Sequence, residues 1–75
     1  MSLNILDAKG LTCPLPILRT RKALKKMAPG ALLEVQATDP GSMIDFKSYC
    51  AKTGDELVEA REEDGVFIFR IRKKV

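Results

Sequence analysis

Glycine and proline divide this sequence into six short segments, each with room for one strand or one helix. The main breaks fall at Gly10, Pro29-Gly30, Pro40-Gly41, Gly54 and Gly65. Both residues end regular structure, because glycine adopts positive φ angles and proline lacks an amide proton. A chain of 75 residues also buries only about 60% of its unfolded surface. We therefore expect one domain over residues 1–75.

The first two segments predict a strand and an amphipathic helix. Leu3, Ile5 and their neighbours favour a strand that ends in a turn at residues 7–10. Proline tolerates the first position of a helix, so we expect the helix to begin at Pro14 and to end near Gly30. The predicted apolar face of this helix consists of Ile17, Leu24, Met27 and Ala28.

The middle of the chain predicts a second strand and a second helix. Apolar residues alternate over residues 31–38, which is typical of a half-buried strand. Two starts remain open for the helix: Asp39 as its cap, followed by Pro40, or Ser42 as its cap with Asp45 in a capping box. Gly54 ends it. The predicted buried stripe is Met43, Phe46, Tyr49 and Cys50.

The last segments complete the order βαβαββ. Residues 57–62 and 66–72 predict two strands joined by a tight turn at Glu63-Asp64-Gly65. Two short helices cover only one face of a sheet, so we predict a two-layer α/β sandwich with a mixed four-stranded sheet. The covered face should carry Leu33, Val35, Val58, Ala60, Phe67, Phe69 and Ile71, and the open face Glu34, Gln36, Glu59, Arg61, Arg70 and Arg72.

Several residue types are scarce, which narrows the possible functions. The chain has no histidine and two cysteines, Cys13 and Cys50, which lack the spacing of a zinc site. We expect free thiols, no metal and no cofactor. The sequence has no apolar run long enough for a membrane span and no secretory signal pattern, so we expect a cytoplasmic protein without membrane contact.

The stretch Gly10-Leu11-Thr12-Cys13-Pro14-Leu15-Pro16 carries the candidate chemistry. If the helix begins at Pro14, Cys13 is its N-cap, where the positive end of the helix dipole favours a sulfur anion. We therefore expect a lowered pKa and a nucleophilic thiolate at Cys13. Pro14 and Pro16 should stiffen this helix start and leave the amides of Leu15 and Ile17 as donors.

The missing residues restrict what such a thiol could do. Thioester hydrolysis calls for a base beside the nucleophile, and there is no histidine. A dithiol redox site calls for a second nearby cysteine, and Pro16 stands at that position. The remaining possibility is a lone thiol that accepts an atom or group and passes it on. A persulfide suits this role because its terminal sulfur is an anion at neutral pH, which the helix end would stabilise.

The chain resembles the TusA/SirA-like sulfur carriers over nearly its whole length. The residues that carry the resemblance are Gly10 to Pro16, Arg21-Lys22, Pro29-Gly30, Asp39-Pro40, Asp45, Cys50 and Gly54-Asp55-Glu56-Leu57. The resemblance implies the sandwich fold and a Cys13 that carries persulfide sulfur from a cysteine desulfurase or rhodanese-type donor to an acceptor. It implies that the sulfur is used in tRNA thiolation, molybdenum-cofactor synthesis or sulfur oxidation. It also implies that Arg21 and Asp39 contact partner proteins.

Two positions depart from the family's pattern. Leu15 replaces the acidic residue of the tRNA-thiolation members, which weighs against that pathway, and Asp55 replaces a histidine of many members. The basic residues within 19–26 form either a solvent face or a docking surface for a partner, with Arg21 toward the buried edge. Because the chain has few aromatic residues to stack bases, we expect no direct nucleic-acid contact.

Two other functions remain open. One is a non-catalytic RNA- or protein-binding module that uses the basic first helix. The other is a thiol sensor of oxidants at Cys13. Cys50 lies on the apolar stripe, so we expect it in the core.

Overall fold

The computed structural model describes residues 4–75 and has the predicted element order. The elements are β1 (Asn4–Ala8), α1 (Leu15–Lys25), β2 (Leu32–Ala37), α2 (Ser42–Thr53), β3 (Glu56–Glu63) and β4 (Val66–Arg72). The four strands form one sheet in the order β1-β2-β4-β3, with β1 parallel to β2 and the other pairs antiparallel. Helix α1 packs on β1 and β2, and α2 on β3 and β4. The predicted two-layer sandwich is confirmed.

The core lies between the helices and one face of the sheet. Its centre is a stacked pair of rings from Phe46 of α2 and Phe69 of β4, with centroids 4.3 Å apart. Both side chains are fully buried, and burying such rings stabilises a fold by about 2–3 kcal/mol each. The rest of the core comes from Ala8, Leu24, Leu33, Val35, Ala37, Cys50 and Ile71.

The first strand and first helix differ from prediction at their ends. Leu3 lies outside the described residues, and β1 continues through Asp7 to Ala8, which pairs with Ala37 in the parallel ladder. Helix α1 ends at Lys25, and Ala28 beyond it is exposed. The buried face of α1 consists of Pro16, Thr20 and Leu24.

A threonine on that buried face went unpredicted because its side chain is polar. Thr20 is fully buried, and its hydroxyl donates to the carbonyl oxygen of Pro16, one turn earlier, at 2.8 Å. This local bond satisfies the hydroxyl, so the residue packs inward without an unpaired polar atom.

Neither helix within residues 4–75 is long and apolar enough to cross a membrane.

The second helix begins with neither predicted cap. Gly41 is the N-cap of α2, and no side chain caps this end. The Asp39 carboxylate instead accepts the Gly41 amide at 3.1 Å within the preceding turn. Ser42 is already the first helical residue. The predicted end is confirmed, because Gly54 adopts the left-handed conformation with a φ of 84°.

A bulge in β3 overturns the prediction that Val58 is buried. The sheet register shifts between Leu57 and Glu59, which places an additional residue in β3 opposite β4. Leu57 and Ala60 therefore share the covered face, and Val58 is 43% exposed. Strict alternation fails here because a bulge changes which side chains face inward.

The open face carries two hydrogen-bonded groups of polar side chains, which together we call the open-face ladder. One group is Lys9, Gln36, Glu34 and Arg70, and the other is Glu59, Arg61 and Glu63. Glu34 is its most buried charged member, with 7% of its surface exposed. The carboxylate of Glu34 accepts from Arg70 at 3.1 Å and from Gln36 at 2.9 Å. These bonds compensate for the partial loss of water around the charge.

Candidate functional site

Two loops meet where the parallel strands β1 and β2 end. Parallel strands place their carboxyl ends at the same edge of a sheet, so the loop after β1 lies beside the loop after β2. The amide of Gly10 donates to Oγ1 of Thr38 at 2.9 Å, which ties the two loops together. Gly10 has a φ of 83°, a conformation in which other residues are strained.

Cys13 lies exposed in the first loop, before the start of α1. The prediction of a helix that begins at Pro14 is wrong, because Pro14 has the non-helical φ and ψ of −98° and 15°. A turn precedes the helix instead, closed by the Leu15 amide, which donates to the Thr12 carbonyl at 2.8 Å. Cys13 is therefore not the N-cap, and the Leu15 amide is not available to a sulfur anion.

The charges around Cys13 also contradict the predicted acidic thiol. The carboxylate of Asp45 raises the pKa of the Cys13 thiol above the ordinary value, because it favours the protonated form of the thiol. Partial desolvation and the negative charge of Asp39 act in the same direction. A neighbouring carboxylate disfavours a thiolate, because both groups would then be anions. The unmodified Cys13 is thus a protonated thiol at neutral pH.

An open groove of about 250 Å³ extends from Cys13 along α2. Its lining consists of Cys13, Pro14, Ile17, Asp45, Ser48, Tyr49 and Lys52. The α2 members are spaced by three and four residues, so they share one helix face. This spacing is the signal that the sequence offers for the groove. The sequence predictions gave Asp45 a capping role and a place in the family pattern, and gave Lys52 no role.

The two predicted partner-contact residues take different positions. Asp39 lies near Cys13 and accepts the Gly41 amide in the second loop. Arg21 is exposed on α1, next in sequence to the fully buried Thr20. Burial raises the pKa of Tyr49, and the nearby charge of Arg21 partly opposes that shift. The charge of Arg21 therefore reaches Tyr49, which lines the Cys13 groove.

The second cysteine is a core residue, as predicted. Cys50 is 6% exposed and packs in the core cluster. Burial, with a smaller effect of Asp55, raises the pKa of its thiol to about 11. Cys50 is therefore a poor nucleophile in the folded protein.

A second groove, of about 650 Å³, lies on the other side of α1. Its lining combines apolar and basic side chains: Leu6, Leu15, Leu18, Arg19, Lys22 and Ala23. Leu15 and Leu18 are 41% and 51% exposed. Exposed leucines between cations are more typical of a protein-binding surface than of a nucleic-acid surface, where bases stack on aromatic rings.

Comparisons with known proteins give a consistent result. The profile of the family described as sulfurtransferase TusA matches residues 4–73. The sulfur carrier protein TusA of Allochromatium vinosum is 56% identical over 68 residues, which cover 91% of this chain and 90% of that protein. TusA of Pseudomonas paraeruginosa is 47% identical over 70 residues, which cover 93% and 89%.

The fold has a solved counterpart as well. A SirA-like protein from Desulfitobacterium hafniense superposes with a TM-score of 0.84 and is 26% identical. The alignment covers 99% of this chain and 100% of that one.

Proposed function

This chain belongs to the sulfurtransferase TusA family, and from that premise we propose that it is a sulfur carrier with Cys13 as its covalent site. Cys13 accepts a persulfide sulfur from a donor protein and passes it to an acceptor. The observation that carries the proposal is the position of Cys13. Its thiol is exposed in the loop after β1, which a hydrogen bond ties to Thr38 at the end of β2, whereas Cys50 is buried.

The transfer needs no cofactor. The Cys13 sulfur attacks the terminal sulfur of the donor's persulfide, and a new sulfur–sulfur bond forms as the donor's bond breaks. The electron pair of the broken bond remains on the donor's cysteine, which leaves as a thiol once it is protonated. The sulfur keeps its oxidation state, so no external oxidant or reductant takes part.

We propose protein partners for both transfers, a donor of the cysteine desulfurase or rhodanese type and a downstream acceptor. The charges of Arg21 on α1 and Asp39 in the second loop act on Tyr49 and Cys13 of this groove, which suits the two residues to contact these partners. Pro14 supports the turn that contains Cys13, and Pro16 supports the start of the helix that follows it. The mixed apolar and basic groove beside α1 favours a protein over an RNA as the bound macromolecule.

We place the carrier in the cytoplasm, where thiols stay reduced. The acceptor would act in tRNA thiolation, molybdenum-cofactor synthesis or sulfur oxidation. Leu15 bears on this choice, because it is two positions after Cys13 in sequence and 41% exposed. An apolar residue there suits an acceptor with an apolar contact surface.

The test is a mass measurement of intact protein after incubation with a cysteine desulfurase and cysteine. We expect wild type to gain the mass of one sulfur atom and Cys13→Ser to gain none. Cys50→Ala is the matched control, since it removes the buried thiol and should be loaded like wild type. Treatment with a reductant should remove the added sulfur.

Two results would contradict the carrier function. A gain of one sulfur mass on Cys13→Ser would show that another residue accepts the sulfur. No gain on wild type with several desulfurases and rhodaneses would favour the binding module that uses the basic residues of α1.

A further inference from the structure

Cys13 and Asp45 line the same groove, so the proposed site adjoins a residue with no assigned role. Asp45 lies in the first turn of α2, and its amide donates to the Gly41 carbonyl at 3.0 Å. This backbone bond fixes the residue without using its carboxylate. The carboxylate is therefore available to the Cys13 thiol, and both line the same groove.

We propose that Asp45 is a further catalytic residue, a base that takes the Cys13 proton as sulfur arrives and returns it to the donor. This rests on the proposed function. As the Cys13 sulfur bonds to the terminal sulfur of the donor's persulfide, the thiol proton passes to the Asp45 carboxylate. The donor's sulfur–sulfur bond breaks, and the proton then passes to the departing thiolate. Asp45 ends the step ionised, as it began.

Asp45 suits this role better than the other charged or titratable groups around the thiol. Asp39 acts on Cys13 only through space, and its carboxylate already accepts the Gly41 amide at 3.1 Å. Tyr49 and Lys52 line the groove one and two turns further along α2, and a helix rises about 1.5 Å per residue. Lys52 is thus about 10 Å along the helix from Asp45.

The same carboxylate has a second effect, on the unloaded carrier. Because Asp45 favours the protonated thiol, the free thiol should react slowly with electrophiles that cannot return a proton to a leaving group. A persulfide donor differs, because its departing thiolate accepts the proton. Asp45 would therefore make Cys13 selective for sulfur transfer over side reactions.

The experiment compares two rates at Cys13 in wild type, Asp45→Asn, Asp45→Glu and the distant control Glu62→Gln. The first rate is alkylation by iodoacetamide across a pH series, followed at the Cys13 peptide. The second is sulfur acceptance from glutathione persulfide at neutral pH, followed by intact mass. A small donor is used so that loss of protein docking does not enter the result.

We expect Asp45→Asn to alkylate severalfold faster at neutral pH, with its profile moved to lower pH, and to accept sulfur more slowly. The ratio of acceptance to alkylation should fall in Asp45→Asn, recover partly in Asp45→Glu and stay unchanged in Glu62→Gln. A role of Asp45 in folding alone would change both rates in the same direction.

The outcomes separate this proposal from the one it rests on. If wild type accepts sulfur and the ratio in Asp45→Asn equals that of wild type, only the role of Asp45 is overturned. If wild type accepts no sulfur from glutathione persulfide or from a desulfurase, both proposals fail.

Discussion

The Gly10 amide donates to Oγ1 of Thr38 at 2.9 Å, which joins the loop that carries Cys13 to the end of the neighbouring strand. The two residues are 28 positions apart in sequence. This bond and the turn at Thr12–Leu15 hold the Cys13 loop on both sides. The loop is thus positioned by one side-chain hydroxyl and one backbone turn, and neither bond uses the thiol.

We expect Thr38→Val to loosen this loop and to lower the free energy of unfolding by about 0.5–1.5 kcal/mol. Valine has nearly the shape of threonine but no acceptor for the Gly10 amide. Thr38→Ser keeps the hydroxyl and serves as the control. Urea unfolding measures the stability, and amide exchange at Gly10 measures the loop. Equal exchange in the valine and serine variants would show that the bond does not hold the loop.

The bulge in β3 is tested by two identical substitutions on different strands. Val35 is fully buried in the central strand β2, and Val58 is 43% exposed at the bulge. Because truncation leaves a cavity only where a side chain is enclosed, Val35→Ala should destabilise the protein by about 2 kcal/mol. Val58→Ala should change stability by about 0.5 kcal/mol or less. Similar losses for both variants in thermal or urea unfolding would mean that Val58 is buried after all.

The open-face ladder makes stability depend on pH in the acid range. Hydrogen bonds from Gln36 and then Arg70 lower the pKa of Glu34 below its usual 4.5. The unfolded state therefore binds more protons than the folded state in this range, so stability is present above pH 4.5 and falls as the pH falls through the lower folded value. Glu34→Gln should flatten this acid slope in urea unfolding at several pH values. Glu62→Gln is the control, and an equally flattened slope in that variant would contradict the assignment.

The two cysteines should differ sharply in reaction with iodoacetamide. Cys13 is exposed, so it should label in the folded protein, with a rate that continues to rise above pH 9.0 because its pKa is raised. Cys50 should label only in denaturant, since its pKa is about 11 and its side chain is buried. Peptide mapping after labelling separates the two sites. Rapid labelling of Cys50 without denaturant would show that the α2 face opens.

Much of the fold could be predicted from local patterns. The alternation that placed Leu33, Val35 and Ala37 inward, the apolar stripe of α2 and the turn at Asp64-Gly65 are all present. These features depend on neighbours in sequence, where side-chain period and turn chemistry suffice. The exposure of Val58 depends on the register between β3 and β4, which the sequence of β3 alone does not determine.

The site was only partly predictable for the same reason. Its nucleophile was visible as a cysteine between turn and helix signals, but its charge environment was not. Asp45 lies 32 positions after Cys13 in the sequence, and folding brings both residues into one groove. Local reasoning placed a helix end beside the sulfur and predicted a lowered pKa, whereas the fold supplies two carboxylates that raise it.

The paired charges of the open-face ladder also bear on where a partner would bind and how long it would remain bound. Each Arg or Lys in that row already has a neighbouring carboxylate or amide, so another molecule that settled there would displace good contacts to make equal ones. Partner binding is thereby favoured on the side that carries the Cys13 groove, where the sulfur would be exchanged. If the protein carries sulfur as proposed, a partner bound only on that side could dissociate as soon as the sulfur has been transferred.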